Sequence, residues 1–248
     1  MGQCLSVLGN YPIVLVTFPE LDLTPYREIW EKHGRELQVE LFDRSNFVSF
    51  EAYNRFCLDP RFYLRFAEDH DYMLIYQPDA WVFRDELEKW CEEGWDYVGA
   101  PWVLGDPQTA ADIRFKAVGN GGFSLRKIDF CLRTLSAKGL ILTPSTLRAL
   151  RDDRACGAIV RKYFVYPTQG CLRAAAKRNR IYEDTVFSLQ KYTALKARIP
   201  SPERASEFSF DFHPKALYEF TGGRLPFGCH GLEYRAIHAF WAPLIPID

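Results

Sequence analysis

The sequence predicts an α/β protein: one α/β/α layer sandwich, residues 1–248 as a single domain, around a mostly parallel central sheet. Three observations predict it. Short, wholly apolar runs such as Ile13–Val16 and Tyr72–Tyr76 have the character of strands covered on both faces. Stretches with apolar residues at helical spacing alternate with them. Hydrophobic residues make up 48% of the chain, and no linker, repeat or low-complexity tract divides it, so one large core accounts for the whole.

The elements follow in order. Met1-Gly2-Gln3-Cys4-Leu5-Ser6 matches the short pattern for N-myristoylation at Gly2, with Cys4 placed for a second acyl chain that would give a peripheral membrane contact. Leu5, Val7 and Leu8 read equally well as part of a packed segment. Ile13–Val16 is the first strand and Gln38–Phe42 a second. Between Asp59 and Asp69 a helix is signalled by Asp59 as N-cap, Pro60 at the first helical position, and Phe62, Phe66 and Ala67 on one face. Tyr72–Tyr76 is a central strand. Leu87, Trp90 and Cys91 mark the buried stripe of a helix that Gly94 can end, and Tyr97–Gly99 starts another strand. The polar, weakly periodic segment from Gly105 to Lys116 reads as a mobile loop. Ile128, Cys131, Leu132 and Leu135 then fall at helical spacing, and Val186, Phe187 and Leu189 place a further helix from about Glu183.

Composition narrows the function classes. A formal net charge of −1 gives no global attraction to nucleic acid, so an anionic ligand must be held by local groups. Seven scattered cysteines without a C-x-x-C pair suggest neither a disulfide framework nor a zinc ribbon, and point to a cytoplasmic location. No apolar run approaches the ~20 residues of a membrane span. Neither a G-x-S-x-G elbow nor an H-E-x-x-H zinc helix occurs.

The richest local signal is Val118-Gly119-Asn120-Gly121-Gly122-Phe123-Ser124-Leu125-Arg126. Backbone without Cβ approaches a ligand closely, and Asn120 offers both a donor and an acceptor. It is either a ligand-gripping loop or a tight turn before a strand. Gln77-Pro78-Asp79 follows the strongest strand, where a carboxylate can hold Mg²⁺ or Mn²⁺ beside phosphates; the alternative is that Asp79 makes a turn or a helix cap. Glu183 and Asp184 are first-turn acids that offset a helix dipole. His230, between Gly228-Cys229 and Gly231, reads as a metal or diphosphate ligand or as a turn residue, with Cys229 as packing. Arg173, Lys177, Arg178 and Arg180 form either a solvated helix face or a contact for a phosphate-bearing acceptor.

Leu74–Phe83, Trp95–Trp102, Val118–Arg126, Glu183-Asp184 and Pro226–Gly231 together resemble, in order and character, the DUF5672 family of proposed glycosyltransferases. The resemblance implies a GT-A-like (Rossmann-like) fold and transfer of a sugar from a nucleotide-sugar donor to an acceptor hydroxyl, with inversion. The acceptor would be a glycan, a lipid-linked molecule or a protein. In GT-A enzymes an Asp-x-Asp binds metal and diphosphate; Gln77-Pro78-Asp79 keeps only the last acid. It implies donor contacts from Gln77, Asp79, Asn120, Gly121 and Gly122, a divalent cation (Mn²⁺ or Mg²⁺) on Asp79 and His230, and Asp184 as base with Glu183 as its alternative or as a holder of an acceptor hydroxyl. Trp102, Phe123 and Trp241 would line the acceptor side. Relatives carry a further strand before Gln3–Gly9, so the chain is expected to open late and its activity to be weakened. The other class that stays open is a non-catalytic carbohydrate- or nucleotide-sugar-binding module on the same scaffold.

Overall fold

The computed structural model describes residues 1–137, 182–189 and 195–246. The segment with Arg173, Lys177, Arg178 and Arg180 lies outside the described residues. The chain opens with helix α1 (Gly2–Val7), which buries Cys4 and Leu5, with Leu8 buried just after it. Gln3 Nε2 donates to the Val82 carbonyl at 2.8 Å, fixing α1 on the body. Cys4 is therefore a core residue, its thiol pushed up by burial to about 11, which accords with the packed-segment reading of this stretch. Strand β1 (Val14–Thr17) and strand β2 (Gln38–Leu41) pair in parallel, separated by helix α2 (Thr24–Lys32).

Helices α3 (Phe50–Cys57) and α4 (Pro60–Leu64) follow, each with the cap that its sequence supplies. Ser49 accepts from the Ala52 N–H, and Asp59 accepts from the Arg61 N–H with Pro60 beside it. The second helix ends at Leu64, several residues before the expected Asp69.

Strands β3 (Tyr72–Tyr76), β5 (Tyr97–Val98) and β8 (Phe123–Lys127) form a sheet in the order β3-β8-β5, antiparallel throughout. Helix α5 (Leu87–Glu92) precedes β5, and Gly94 breaks the chain at φ +70° as expected. Strands β6 (Pro101–Val103) and β7 (Phe115–Val118) make an antiparallel pair that takes up part of the supposed mobile loop. Helix α6 (Ile128–Ala137) and helix α7 (Glu183–Ser188) stand where the apolar periodicity puts them. Helix α8 (Pro202–Phe208), strand β9 (Ser209–Phe210), helix α9 (Pro214–Phe220), strand β10 (Gly228–Cys229) and helix α10 (Arg235–Trp241) complete the described chain.

The expected mostly parallel central sheet is thus corrected. Among the described residues the protein is a mixed α/β structure with small sheets, in which β1-β2 and β9-β10 pair in parallel and the remaining pairs run antiparallel. The reason lies in the strand signal. A strand covered on both faces is apolar throughout whichever way its neighbour runs, so Tyr72–Tyr76 carries no mark of direction.

Two parts of this architecture position the site. The pairing of Tyr76 with Phe123 sets the end of β3 beside the glycine run, and the Gln77 N–H donates to the Gly122 carbonyl at 2.8 Å. In the β4-β10-β9 sheet, with β4 at Trp81–Val82, Cys229 lies opposite both Trp81 and Phe210. The residues just beyond that register, Asp79, Asp211 and His230, consequently gather at one end of the sheet. Beneath them Phe123, Phe208 and Phe227 pack with centroids 5.3 to 5.5 Å apart, and Trp90 meets Phe208 edge-on at 5.1 Å.

Candidate functional site

The glycine run folds around Asn120, a buried residue at φ +70°. An asparagine tolerates this left-handed backbone when its side chain bonds locally, and here Oδ1 accepts from the Gly122 and Phe123 N–H groups at 2.9 and 3.1 Å. The Asn120 carbonyl accepts from the Tyr97 hydroxyl at 2.6 Å, its N–H donates to Asp184 Oδ2 at 3.1 Å, and its Nδ2 faces His230 Nδ1 at 3.1 Å. The glycines are required for close approach. A Cβ on Gly122 would fall 1.9 Å from His230 Nε2, and one on Gly121 would fall 1.9 Å from Glu183 Oε1.

His230 is the hub of the outer face. Its Nε2 lies 3.0 Å from Gln77 Oε1 and 3.2 Å from Asp79 Oδ1; its Nδ1 lies 3.4 Å from Asp211 Oδ1. Burial pushes the imidazole down, but the Asp211 and Asp79 carboxylates outweigh it and lift it to about 9. The Asn120 contact opposes this, because an amide N–H can donate only to an unprotonated Nδ1. The Asn120 contact is the shorter, so the geometry describes the Nε2–H tautomer, and protonation would turn Nδ1 to Asp211. Burial works against the Asp79 carboxylate, yet the His230 contact holds it below the usual range.

Beneath the loop lies a closed ion pair. Arg126 is wholly buried and donates to Glu183 Oε1 at 3.0 Å, to the Gly121 carbonyl at 3.2 Å, to Ser124 Oγ at 3.0 Å and to the Tyr63 hydroxyl at 2.9 Å. The rings of Tyr97 and Phe187 flank its guanidinium at 5.7 and 5.6 Å. Glu183 is thereby a partner of Arg126 rather than a free acid, which corrects its expected role as base or acceptor holder. Asp184, the next residue of α7, accepts from Asn120 N–H and from Thr185 N–H at 2.6 Å. Burial, and then the charge on Glu183, push its carboxyl up to about 7.

The structure therefore brings Gln77, Asp79, Asn120, Gly122, Asp184 and His230 into one hydrogen-bonded cluster. Phe123 is not part of its surface: it is fully buried against Tyr76, Phe208 and Phe227, which corrects its placement on the acceptor side. Trp241 is likewise a core residue, stacked on Phe83 at 5.7 Å. Trp102 backs the loop, its ring atoms 2.0 Å from where a Gly119 Cβ would sit, with Lys116 Nζ 5.6 Å from the ring centroid. Cys229 is buried packing, as expected.

Asp211 was missed in the sequence. It is a single acid between Phe210 and Phe212, without a motif, and gains meaning only through the β9-β10 pairing.

For a divalent cation, the carboxylates of Asp79 and Asp211 have suitable hard-oxygen chemistry. His230 does not fit as a ligand beside Asp79 while its Nε2 carries the proton that the Asp79 and Gln77 oxygens accept. No group of three His, Cys, Asp or Glu side chains among the described residues is arranged to hold a metal ion. Among the described residues no helix is long and apolar enough to cross a membrane.

No curated protein matches the chain. Among solved structures, the crystal structure of A197 from STIV is similar at 15% identity, covering 77% of this chain and 83% of that one, with a TM-score of 0.34; a likeness this distant carries no argument. The match to the family described as Protein of unknown function (DUF5672) runs over residues 36–230, taking in Gln77, Asp79, Asn120, Asp184 and His230, and the chain belongs to that family.

Proposed function

We propose that the protein transfers a sugar from a nucleotide-sugar donor to an acceptor hydroxyl, with Asp184 as general base. The observation that carries this reading is the Asp184 carboxylate, raised to about 7 and joined through Asn120 to His230 and Asp79. A hydroxyl is a poor nucleophile at neutral pH. A carboxylate whose affinity for protons matches the surrounding pH can take the hydroxyl proton as the new glycosidic bond forms, an effect typically worth ~10²–10⁴-fold. The departing diphosphate gains negative charge in the same step, which a cation or a preorganised donor beside it would offset.

A divalent cation, Mn²⁺ or Mg²⁺, belongs to the proposal in a limited form. Asp79 would hold it, and when bound it would neutralise diphosphate charge. The proton step assigned to Asp184 proceeds on this chain's own residues.

One observation favours a non-catalytic sugar- or nucleotide-binding module instead: both oxygens of Asp184 already accept main-chain N–H groups. Asp184→Asn separates the two. It keeps the shape and an acceptor oxygen, so nucleotide-sugar binding, read as a shift in melting temperature, is expected to survive while turnover falls ~10²–10⁴-fold. Turnover unchanged in Asp184→Asn removes Asp184 as base, and binding without turnover in the unaltered protein, across UDP-, GDP-, CMP- and dTDP-sugars, selects the binding module.

A further inference from the structure

The rim of the His230 cluster carries two aromatic side chains that the transfer reading does not use. Phe212 and Tyr234 are half exposed, at 51% and 50%, and their rings lie 5.5 Å apart with planes 35° from each other. The chain fixes both at the cluster. Phe212 directly follows Asp211, and the Tyr234 N–H donates at 3.0 Å to the carbonyl of Gly231, the residue after His230. Gly231 marks where ring and carboxylate converge. It sits at φ +81°, and a Cβ added there would lie 2.8 Å from Tyr234 Cδ2 and 3.1 Å from Asp211 Oδ1. Partial burial, and then the charges of Asp211 and Asp79, push the Tyr234 phenol up, in keeping with this proximity.

Aromatic faces beside a carboxylate select a ligand that offers an apolar face and hydroxyl donors together. A pyranose ring has both: axial C–H groups that pack on an aromatic ring, and hydroxyls that donate to a carboxylate. A phosphate has neither, and a purely apolar group offers the nearby Asp211 carboxylate no donor.

We propose that Phe212 and Tyr234 form a saccharide platform, their rings receiving the C–H face of a pyranose whose hydroxyl donates to Asp211. This rests on the transfer reading and adds the side chains that hold the sugar. The ring belongs either to the acceptor or to the donor.

The test is saturation-transfer NMR on the full chain, with methyl glucoside, galactoside, mannoside and N-acetylglucosaminide as acceptor-like probes and UDP-glucose and GDP-mannose as donor probes. Wild type, Phe212→Ala, Tyr234→Ala, Tyr234→Phe and Asp184→Asn are compared, with melting curves to confirm that each is folded. Saturation is expected to reach pyranose C–H protons in the wild type, to weaken at least tenfold in both alanine variants, and to persist in Tyr234→Phe and Asp184→Asn. Loss confined to methyl glycosides assigns the platform to the acceptor, and loss confined to the nucleotide sugars assigns it to the donor. Sugar binding that is equal in wild type and both alanine variants overturns the platform and leaves the transferase reading standing. The same holds if nucleotide sugars bind and turn over while no probe's pyranose protons are saturated. If neither glycosides nor nucleotide sugars bind any form, both proposals fall together.

Discussion

The two sides of the glycine run differ in how their charges are matched. Below it, one cation and one anion face each other: Arg126 meets Glu183, and its remaining N–H groups reach Ser124, Tyr63 and the Gly121 carbonyl. Above it, Asp79 and Asp211 face one histidine, and Asp184 is joined to that histidine only through Asn120. The lower side is closed, and its contacts explain why it holds together. On the upper side two carboxylates share one imidazole, so negative charge is not matched one to one there. Glu183 and Asp184 are neighbours in one helix and fall on opposite sides of this divide.

The largest effect should come from breaking the lower side. Arg126→Met leaves Glu183 buried without its cation, and Glu183→Gln leaves Arg126 without its counter-charge. Each is expected to cost about 3–5 kcal/mol in urea denaturation, because an unpaired buried charge keeps its full desolvation penalty. A loss below about 1 kcal/mol would show that water reaches the pair and that the contrast between the two sides is false.

Gly122→Ala tests the join between them. The added methyl falls on the His230 ring, and overpacking of this kind typically costs about 1–3 kcal/mol. The His230 imidazole resonances should move in the same variant, whereas a normal His230 spectrum would disconnect the loop from the upper cluster.

A third effect is expected in the pH profile. If Asp184 is the base, kcat/KM rises with pH through about 7, gaining roughly tenfold between one unit below and one unit above that value. The sign for stability is the reverse. The folded carboxyl holds its proton to a higher pH than the unfolded one, so stability falls as pH rises from the ordinary aspartate range through about 7, and Asp184→Asn should flatten that slope. The smallest effect serves as a control: Ser201→Ala removes the cap of α8, which accepts from the Arg204 N–H, and should cost about 1 kcal/mol while leaving the His230 spectrum unchanged.

What could be read in the sequence was local. Asp59-Pro60, Gly94 and the Ile128–Leu135 stripe each act within a few residues, through a cap, a left-handed turn or a buried face, and each stands where it was expected. Strand direction could not be read, since the apolar Tyr72–Tyr76 run suits any buried neighbour. The same limit applied to the site. Gln77, Asp79, Asn120, Asp184 and His230 announce themselves by position in short motifs, but the division of labour between Glu183 and Asp184 depends on Arg126, a charged residue inside a strand that otherwise reads as core. Asp211 depends on its pairing across nineteen residues with His230 and has no local signature.

The close approach at Gly121 and Gly122 also limits where this protein can be re-engineered. Each position already abuts a packed side chain, Glu183 of the ion pair at Gly121 and His230 at Gly122, so a library that diversifies them would mostly yield misfolded clones. Phe212 and Tyr234, half exposed at the edge of the cluster, leave more room for exchange.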